Sequence, residues 1–228
     1  MLKALLDFDN IPKSWFGNNL EQLAVMLANN ILIKPKGYSR IEAKLYGGWF
    51  QNDLPTRRCQ EIQAAKKSFI FPGTHGVPLR INFSLAYTLE SNISAKLYKT
   101  FRESKFTKRL LYKPTISPHD CDIELAVEVL NNRICSGHHG CGETDNVYAN
   151  EQKLVDSMLV ADLIYLASLN QTDVCLISSD DDMVPGIVAA TSLKHIYHLW
   201  TKTQPHNHYL SIYNRLHNYS GDYLRKAA

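Results

Sequence analysis

The sequence predicts an α/β fold with a mainly parallel sheet, and three features of the chain support this. Short apolar runs typical of buried strands occur at residues 3–8 and 174–178. Apolar residues at helical spacing follow each run, at residues 18–32 and 184–193. Strands and helices that alternate along a chain are typical of parallel βαβ units. The 228 residues, of which 45% are hydrophobic and 21% charged, are enough for one sizeable core.

Other predicted elements continue this alternation. Residues 41–46 alternate apolar and polar side chains before two glycines, which predicts a second strand, and residues 56–67 predict a polar-faced helix. Further elements are predicted as helices at residues 122–130, 151–168 and 209–218 and as a strand at residues 195–199.

The middle of the chain breaks the alternation. Proline and glycine separate β-rich runs such as residues 79–88 and 93–101. We therefore predict one domain over residues 1–228, with a basic β-rich insertion at approximately 68–145.

The composition favours a cytoplasmic protein with no membrane partner. Residues 1–6 lead to Asp7 without the charged and apolar regions of a signal peptide, and no apolar stretch reaches the length of a membrane span. Five cysteines, an odd number, argue against a disulfide scaffold. The net charge of +3 does not by itself indicate a binding partner. The sequence is compatible with a homo-oligomer.

Acidic residues recur at three places where a predicted strand ends or a helix begins. They are Asp7 and Asp9, Asp156, and Asp180 and Asp182. Because ligands of a parallel sheet bind beyond the carboxyl ends of its strands, we expect Asp7 and Asp180 to lie near the point where strand order reverses. Crowded carboxylates are costly unless they share a cation, and oxygen ligands suit Mg²⁺ or Mn²⁺. The alternative is that each Asp only caps a helix or shapes a turn.

Three further residues are expected to support this cluster. Asp9 is expected to share a side of the extended backbone with Asp7, as Asp182 is with Asp180. Asn10 would orient Asp7 or bind a scissile phosphate, or would only shape the turn that follows. Asp162 lies about 240° around the predicted helix from Asp156, at roughly 100° per residue. It should therefore have its own partner, either a backbone amide or Lys153.

Three segments resemble the NYN branch of the PIN-like nucleases. That family shows an Asp-x-x-Asn on its first strand, a Lys-x-x-Asp opening a central helix that carries a further Asp, and a Ser-x-Asp-x-Asp-hydrophobic turn. The matching segments are Asp7-Phe8-Asp9-Asn10, Lys153-Leu154-Val155-Asp156 with Asp162, and Ser178-Ser179-Asp180-Asp181-Asp182-Met183.

The resemblance implies a PIN-like three-layer sandwich and hydrolysis of a nucleic acid. By that resemblance, one group of residues would be the Mg²⁺ or Mn²⁺ carboxylates, namely Asp7, Asp156, Asp180 and Asp182. A second group would be supporting positions, namely Asn10, Lys153 and Asp162.

A basic, aromatic segment lies in the predicted insertion. Its cations include Lys96, Lys99, Arg102, Lys105, Lys108 and Arg109. Aromatic residues are interleaved with them, namely Tyr98, Phe101, Phe106 and Tyr112. Phosphate neutralisation combined with base stacking is how proteins hold single-stranded nucleic acid, so we predict RNA, ahead of DNA, as the partner. The alternative is an exposed hairpin whose lysines protect an edge and whose aromatics pack on the core.

Cysteine and histidine cluster further along the insertion. Cys135, His138 and Cys141 have the form Cys-x-x-His-x-x-Cys, and Cys121 lies upstream as a fourth ligand. Thiolate and imidazole suit tetrahedral Zn²⁺, which would be structural because four protein ligands leave no open position. The alternative is a glycine- and histidine-rich loop with unliganded thiols.

These features together predict a metal-dependent endoribonuclease. A second hypothesis is a phosphatase of the haloacid dehalogenase type, because Asp7-Phe8-Asp9-Asn10 also resembles the nucleophile motif of that family. Asp7 would then attack phosphorus and Asp9 would protonate the leaving group. A third hypothesis is a non-catalytic RNA-binding or assembly module with a vestigial acidic cluster.

Overall fold

The computed structural model describes residues 1–16, 19–31, 37–51, 54–65, 68–73, 76–104, 111–112, 147–201 and 207–225. The chain divides into two compact units. Unit 1 comprises Met1–Gly47, Arg57–Leu97 and Leu154–Ala228, and unit 2 comprises Gly48–Thr56 and Tyr98–Lys153.

Unit 1 is an α/β unit, as the sequence predicts. Its strands are β1 (Leu2–Asp7), β2 (Arg40–Tyr46), β5 (Phe69–Phe71), β6 (Leu79–Leu85), β10 (Asp173–Ile177), β11 (Ile196–Trp200) and β12 (Tyr219–Tyr223). Its helices are α1 (Lys13–Phe16), α2 (Leu20–Ile31), α3 (Arg57–Ala65), α4 (Val155–Ser168), α5 (Val184–Thr191) and α6 (Asn207–Tyr213).

The seven strands of unit 1 form one mainly parallel sheet in the order β12-β11-β10-β1-β2-β6-β5. Every neighbouring pair is parallel except β5 and β6. The chain moves from β1 to one side through β2 and β6, and later from β10 to the other side through β11 and β12. Strand order therefore reverses between β1 and β10, and open α/β sheets bind ligands at the carboxyl edge of such a point.

The core of unit 1 joins helices α4 and α5 to the sheet. Leu159 and Leu163 of α4 and Ile187 of α5 are fully buried in one cluster with Leu5 of β1 and Leu176 of β10. The central strands are apolar runs because side chains on both of their faces are covered. This packing places the first turn of α4 within the same unit as the ends of β1 and β10.

A buried polar network attaches α4 to β2. Asp162 is fully buried, and its Oδ2 atom accepts hydrogen bonds from Lys44 Nζ at 2.9 Å and from Tyr46 Oη at 2.5 Å. Its Oδ1 atom accepts the backbone N–H of Glu90 at 2.7 Å. Lys44 also donates to Glu90 Oε1 at 3.1 Å and to the carbonyl of Thr88 at 2.7 Å. Three donors therefore satisfy the carboxylate, as burial of a charge requires.

Several predicted boundaries differ from the structure. Residues 69–71 and 79–85, which we placed in the insertion, are strands of the unit 1 sheet. The helix expected from residue 151 begins at Val155, because Glu151 and Gln152 complete a strand of unit 2. Most of the strand expected at residues 93–101 is turn and 3₁₀ helix. The sequence analysis also did not predict β12.

Unit 2 is antiparallel. It contains β3 (Phe50–Gln51), β4 (Leu54–Pro55), β7 (Phe101–Ser104), β8 (Leu111–Tyr112) and β9 (Val147–Gln152), in the order β4-β3-β9-β7 with β8 also paired to β9. Gln152 Oε1 accepts the backbone N–H groups of Trp49 at 3.1 Å and Phe50 at 3.3 Å. The Phe50 ring packs on that of Tyr98, with centroids 4.8 Å apart.

Within the described ranges, no helix combines the length and the apolar character needed to cross a membrane.

The buried network around Asp162 predicts that substitution of this residue lowers the stability of the protein strongly. We expect Asp162→Asn to lower the free energy of unfolding by about 3 kcal/mol, because it removes the fully buried one of the two carboxylates that pair with Lys44. Glu42→Gln is the matched control, since Glu42 lies on the same strand in a partly exposed pair with Arg40. That control should change the stability by less than about 0.5 kcal/mol. Urea denaturation checks both values, and equal losses in the two variants would contradict the role of the network.

Candidate functional site

Asp7 lies at the carboxyl edge of the sheet, where strand order reverses. It is the last residue of β1 and is 2% exposed. Ser178 Oγ donates to Asp7 Oδ2 at 2.7 Å, and Asn10 Nδ2 donates to the same oxygen at 2.6 Å. Burial raises the pKa of Asp7, the hydrogen bonds from Asn10 and Ser178 lower it in part, and the charges of Asp9 and Asp180 raise it again. The net result is a raised pKa.

Ser178 links the ends of β1 and β10. Its hydroxyl donates to Asp7 and accepts the backbone N–H of Asp180 at 3.0 Å. Its carbonyl lies 2.9 Å from His198 Nε2, and His198 Nδ1 lies 2.9 Å from Tyr219 Oη. Because a carbonyl only accepts, Nε2 carries the imidazole proton and the tyrosine donates to Nδ1. Burial lowers the pKa of His198 to about 4, which keeps the ring neutral at pH 7.

The second acidic turn caps a short helix. Asp180 has extended backbone, and its Oδ1 atom accepts the N–H of Asp182 at 3.0 Å, which begins a 3₁₀ helix at Asp181–Met183. Asp180 and Asp182 therefore do not share a side of one extended strand, because the Asp180 carboxylate is used as an N-cap. The expectation from their spacing was wrong. Asp180 is half-buried and Asp182 is exposed.

Asp156 completes the set of predicted carboxylates. It lies in the first turn of α4 and is exposed at the surface. Desolvation by the surrounding protein raises the pKa of Asp156. Repulsion from other carboxylates raises it further, in the order Asp7, Asp180, Asp182 and Asp9. The fold therefore brings the four predicted metal ligands near enough to repel one another.

These carboxylates do not form a ready-made metal cage. In the part of the chain that the structure describes, no group of three or more His, Cys, Asp or Glu side chains is arranged to hold a metal ion. The donor set nevertheless fits Mg²⁺ or Mn²⁺ in its chemistry, since every candidate ligand is a hard carboxylate oxygen. Asp156 and Asp182 are exposed, so their side chains can change rotamer at little cost.

Arg58 is a residue beside this cluster that the sequence analysis missed. Its Nη1 atom donates to Asp9 Oδ1 at 2.6 Å and its Nη2 atom to the Phe8 carbonyl at 2.7 Å. The guanidinium carbon lies 4.0 Å from the centroid of the Phe8 ring. Arg58 is the second residue of α3, and its contact with Phe8 and Asp9 depends on where that helix begins relative to β1, which the sequence pattern does not show.

The structure gives Asp162 and Lys153 contacts of their own. Asp162 has one of its two expected partners, a backbone amide, and belongs to the buried network on β2. Lys153 follows β9 and precedes α4 rather than lying on it. Its N–H donates to the Thr100 carbonyl at 2.9 Å.

The described part of the basic segment is small. Lys96 is exposed, Lys99 ends a 3₁₀ helix and Arg102 lies on β7. Seven predicted residues lie outside the described ranges, namely Lys105, Lys108, Arg109, Cys121, Cys135, His138 and Cys141. Nucleic-acid binding by this segment and zinc binding by the cysteine and histidine cluster therefore stay predictions.

Comparison of the chain with protein-family models, with curated proteins and with solved structures finds no match.

The raised pKa of Asp7 predicts that its charge destabilises the metal-free fold. We expect Asp7→Asn to stabilise the protein at pH 7 in chelator, by on the order of 1 kcal/mol. A carboxyl whose folded pKa is raised binds more protons when folded, so wild-type stability gains from this group as the pH falls through that pKa. The advantage of the variant should therefore shrink as the solution is acidified.

Thermal unfolding at several pH values measures this difference. Asp181→Asn is the matched control, because Asp181 is exposed and is not among the charges that raise the pKa of Asp7 or Asp156. If Asp7→Asn is less stable than wild type at pH 7 while Asp181→Asn has wild-type stability, then the charge of Asp7 does not destabilise the fold.

Proposed function

We propose that this protein is a metal-dependent nuclease of the PIN-like NYN type that hydrolyses phosphodiester bonds in RNA. The observation that carries the proposal is the shared hydroxyl of Ser178, which joins Asp7 to the Asp180 turn where strand order reverses. Asp156 lies near enough to both for their charges to raise its pKa. A cation placed among these groups would relieve the repulsion that the fold has built in.

The residues of the site have separate roles in this proposal. Asp7, Asp156, Asp180 and Asp182 would hold Mg²⁺ or Mn²⁺. Ser178 and Asn10 both donate to Oδ2 of Asp7, which fixes the orientation of the carboxylate that would hold the ion. A bound divalent ion supplies a nucleophilic hydroxide at neutral pH and neutralises charge on the departing oxygen.

One contact distinguishes this proposal from a phosphatase of the haloacid dehalogenase type. That chemistry assigns Asp9 to proton transfer onto the leaving group. Here the Asp9 carboxylate forms an ion pair with Arg58, at 2.6 Å. The pair commits Asp9 to anchoring the start of α3, which favours hydrolysis supported by the other carboxylates.

The substrate class and the location are further parts of the proposal. We infer RNA because basic and aromatic residues are interleaved from Lys96 to Lys113. A cytoplasmic location is consistent with Cys59 and Cys175, which are buried as free thiols within the described ranges.

The direct test is cleavage of labelled RNA in Mn²⁺ by variants of the four carboxylates. We expect Asp7→Asn, Asp156→Asn and Asp180→Asn each to lower the rate by about a hundredfold or more, because the ion contributes several kcal/mol to catalysis. Asp182→Asn should have a smaller effect, since the charge of Asp182 is not among those that raise the pKa of Asp7 and comes after Asp7 and Asp180 among those that raise the pKa of Asp156. The neighbouring Asp181→Asn should keep wild-type activity.

Single-stranded RNA, structured RNA and DNA of the same sequence are compared with and without chelator. Full activity of the Asp7 and Asp180 variants at saturating Mn²⁺ would remove the nuclease assignment from these residues. Release of free phosphate from a monoester, without cleavage of RNA, would identify the phosphatase instead.

A further inference from the structure

Nucleic acid must approach an acidic surface in the proposed reaction. Asp156 is repelled by the carboxylates of Asp7, Asp180, Asp182 and Asp9, and Asp7 is repelled by Asp9 and Asp180. A bound divalent ion offsets only part of this charge, so the phosphates of the substrate would still be repelled. The substrate therefore requires a cation of the protein at the same edge.

Arg58 is held at this edge by contacts on two sides. One N–H of Nη1 binds the Asp9 carboxylate and one N–H of Nη2 binds the Phe8 carbonyl. The Phe8 side chain, which is buried, covers one face of the guanidinium. Phe8 and Asp9 directly follow Asp7 in the chain, so these contacts place the cation beside the metal-site carboxylate.

The anchored guanidinium still has donors to offer. Arginine carries five N–H groups, and the contacts with Asp9 and Phe8 use one on each terminal nitrogen. A second N–H therefore remains on both Nη1 and Nη2. The Arg58 side chain is 23% exposed, so it is accessible from solvent although it is fixed in place. Fixing it in the folded protein removes much of the entropy that ordering a long side chain on binding would cost.

We propose that Arg58 binds a backbone phosphate of the RNA substrate next to the acidic cluster. This inference rests on the proposed function and adds a substrate-binding residue to it. Arginine suits the role because Nη1 and Nη2 can hold Asp9 and Phe8 while each keeps a second N–H for a phosphate oxygen. A lysine carries its three donors on a single nitrogen, so it could keep the charge but not the spread of the planar guanidinium.

The test measures binding of a labelled single-stranded RNA in chelator, over a range of salt concentrations. We expect Arg58→Gln to weaken binding by about tenfold at low salt, the size of one charge-assisted contact. The slope of log affinity against log salt should fall by about 0.7, the value for one phosphate contact on a single strand. Arg58→Lys should keep the slope and lose part of the affinity.

Arg57→Gln is the matched control. Arg57 precedes Arg58 on the same helix, is 91% exposed and pairs with Glu61 four residues later. The Arg57→Gln variant removes one positive charge from the same helical turn and leaves Arg58 and its contacts with Phe8 and Asp9 in place. Equal losses of affinity and slope in the Arg57 and Arg58 variants would overturn the proposal, because the effect would then be one of general charge.

A double-mutant cycle separates phosphate binding from a purely structural role. Asp9→Asn removes the negative charge that offsets the charge of Arg58, so it should tighten RNA binding. The gain should be at least threefold smaller in the R58Q background, since the cation that benefits is gone. If R58Q does not fold, R58M takes its place in the cycle, because methionine keeps an apolar stem against Phe8 and carries no charge. Equal gains in both backgrounds would overturn the proposal.

The binding assay also separates this inference from the proposed function. Wild-type protein that binds RNA with the expected Arg58 dependence but never cleaves it would support Arg58 and reject the nuclease. Wild-type protein that cleaves RNA, while Arg58→Gln leaves affinity and salt slope unchanged, would support the nuclease and reject Arg58. Wild-type protein that does not bind RNA would reject both.

Discussion

The buried pair of Asp162 and Lys44 is the interaction on which the arrangement of unit 1 depends. It attaches α4 to β2 inside the core, and Tyr46 and the amide of Glu90 complete the hydrogen bonding of the carboxylate. A buried ion pair adds little net stability compared with apolar packing, but breaking it is costly. The pair therefore acts mainly as a constraint on where α4 can sit. Because Asp156 lies in the first turn of α4, this constraint also determines where its carboxylate meets the sheet edge.

The sheet and α4 together bring several negative charges to the carboxyl edge of the sheet. β1 and β10 are adjacent and parallel, so the residues that follow them lie side by side, and the Ser178 hydroxyl connects them. Only neutral groups donate to Asp7 among the hydrogen bonds described for its carboxylate. Arg58 offsets the charge of Asp9, two residues along the chain. A fold that buries one carboxylate and surrounds it with others gains most from a ligand that brings positive charge, which is the physical basis of the proposed metal site.

The sequence was sufficient where burial decides the structure. Residues 4–6 of β1 and 174–177 of β10 are apolar and buried, so the positions of these strands and the acidic residues that follow could be predicted. β12 could not be predicted, because its sequence Tyr-Ser-Gly-Asp-Tyr has no apolar pattern and it lies at the edge of the sheet. Gly221 fits there because the Trp200 ring occupies the space that a side chain would need. The contacts of Arg58 and Ser178 could not be predicted either. They depend on the order of the strands in the sheet and on which helix begins beside β1, and the local periodicity of the sequence shows neither.

The central claim is that the edge formed by Asp7, Asp156 and Asp180 is a divalent cation site, and calorimetric titration with Mn²⁺ in the absence of RNA tests it most directly. We expect saturable binding to wild-type protein, at least tenfold weaker binding to Asp156→Asn, and unchanged binding to Asp181→Asn. The order of these affinities follows from the charges that raise the pKa of Asp156, which include Asp7 and Asp180 but not Asp181. No saturable binding to the wild type, or equal binding to all three proteins, would contradict the account.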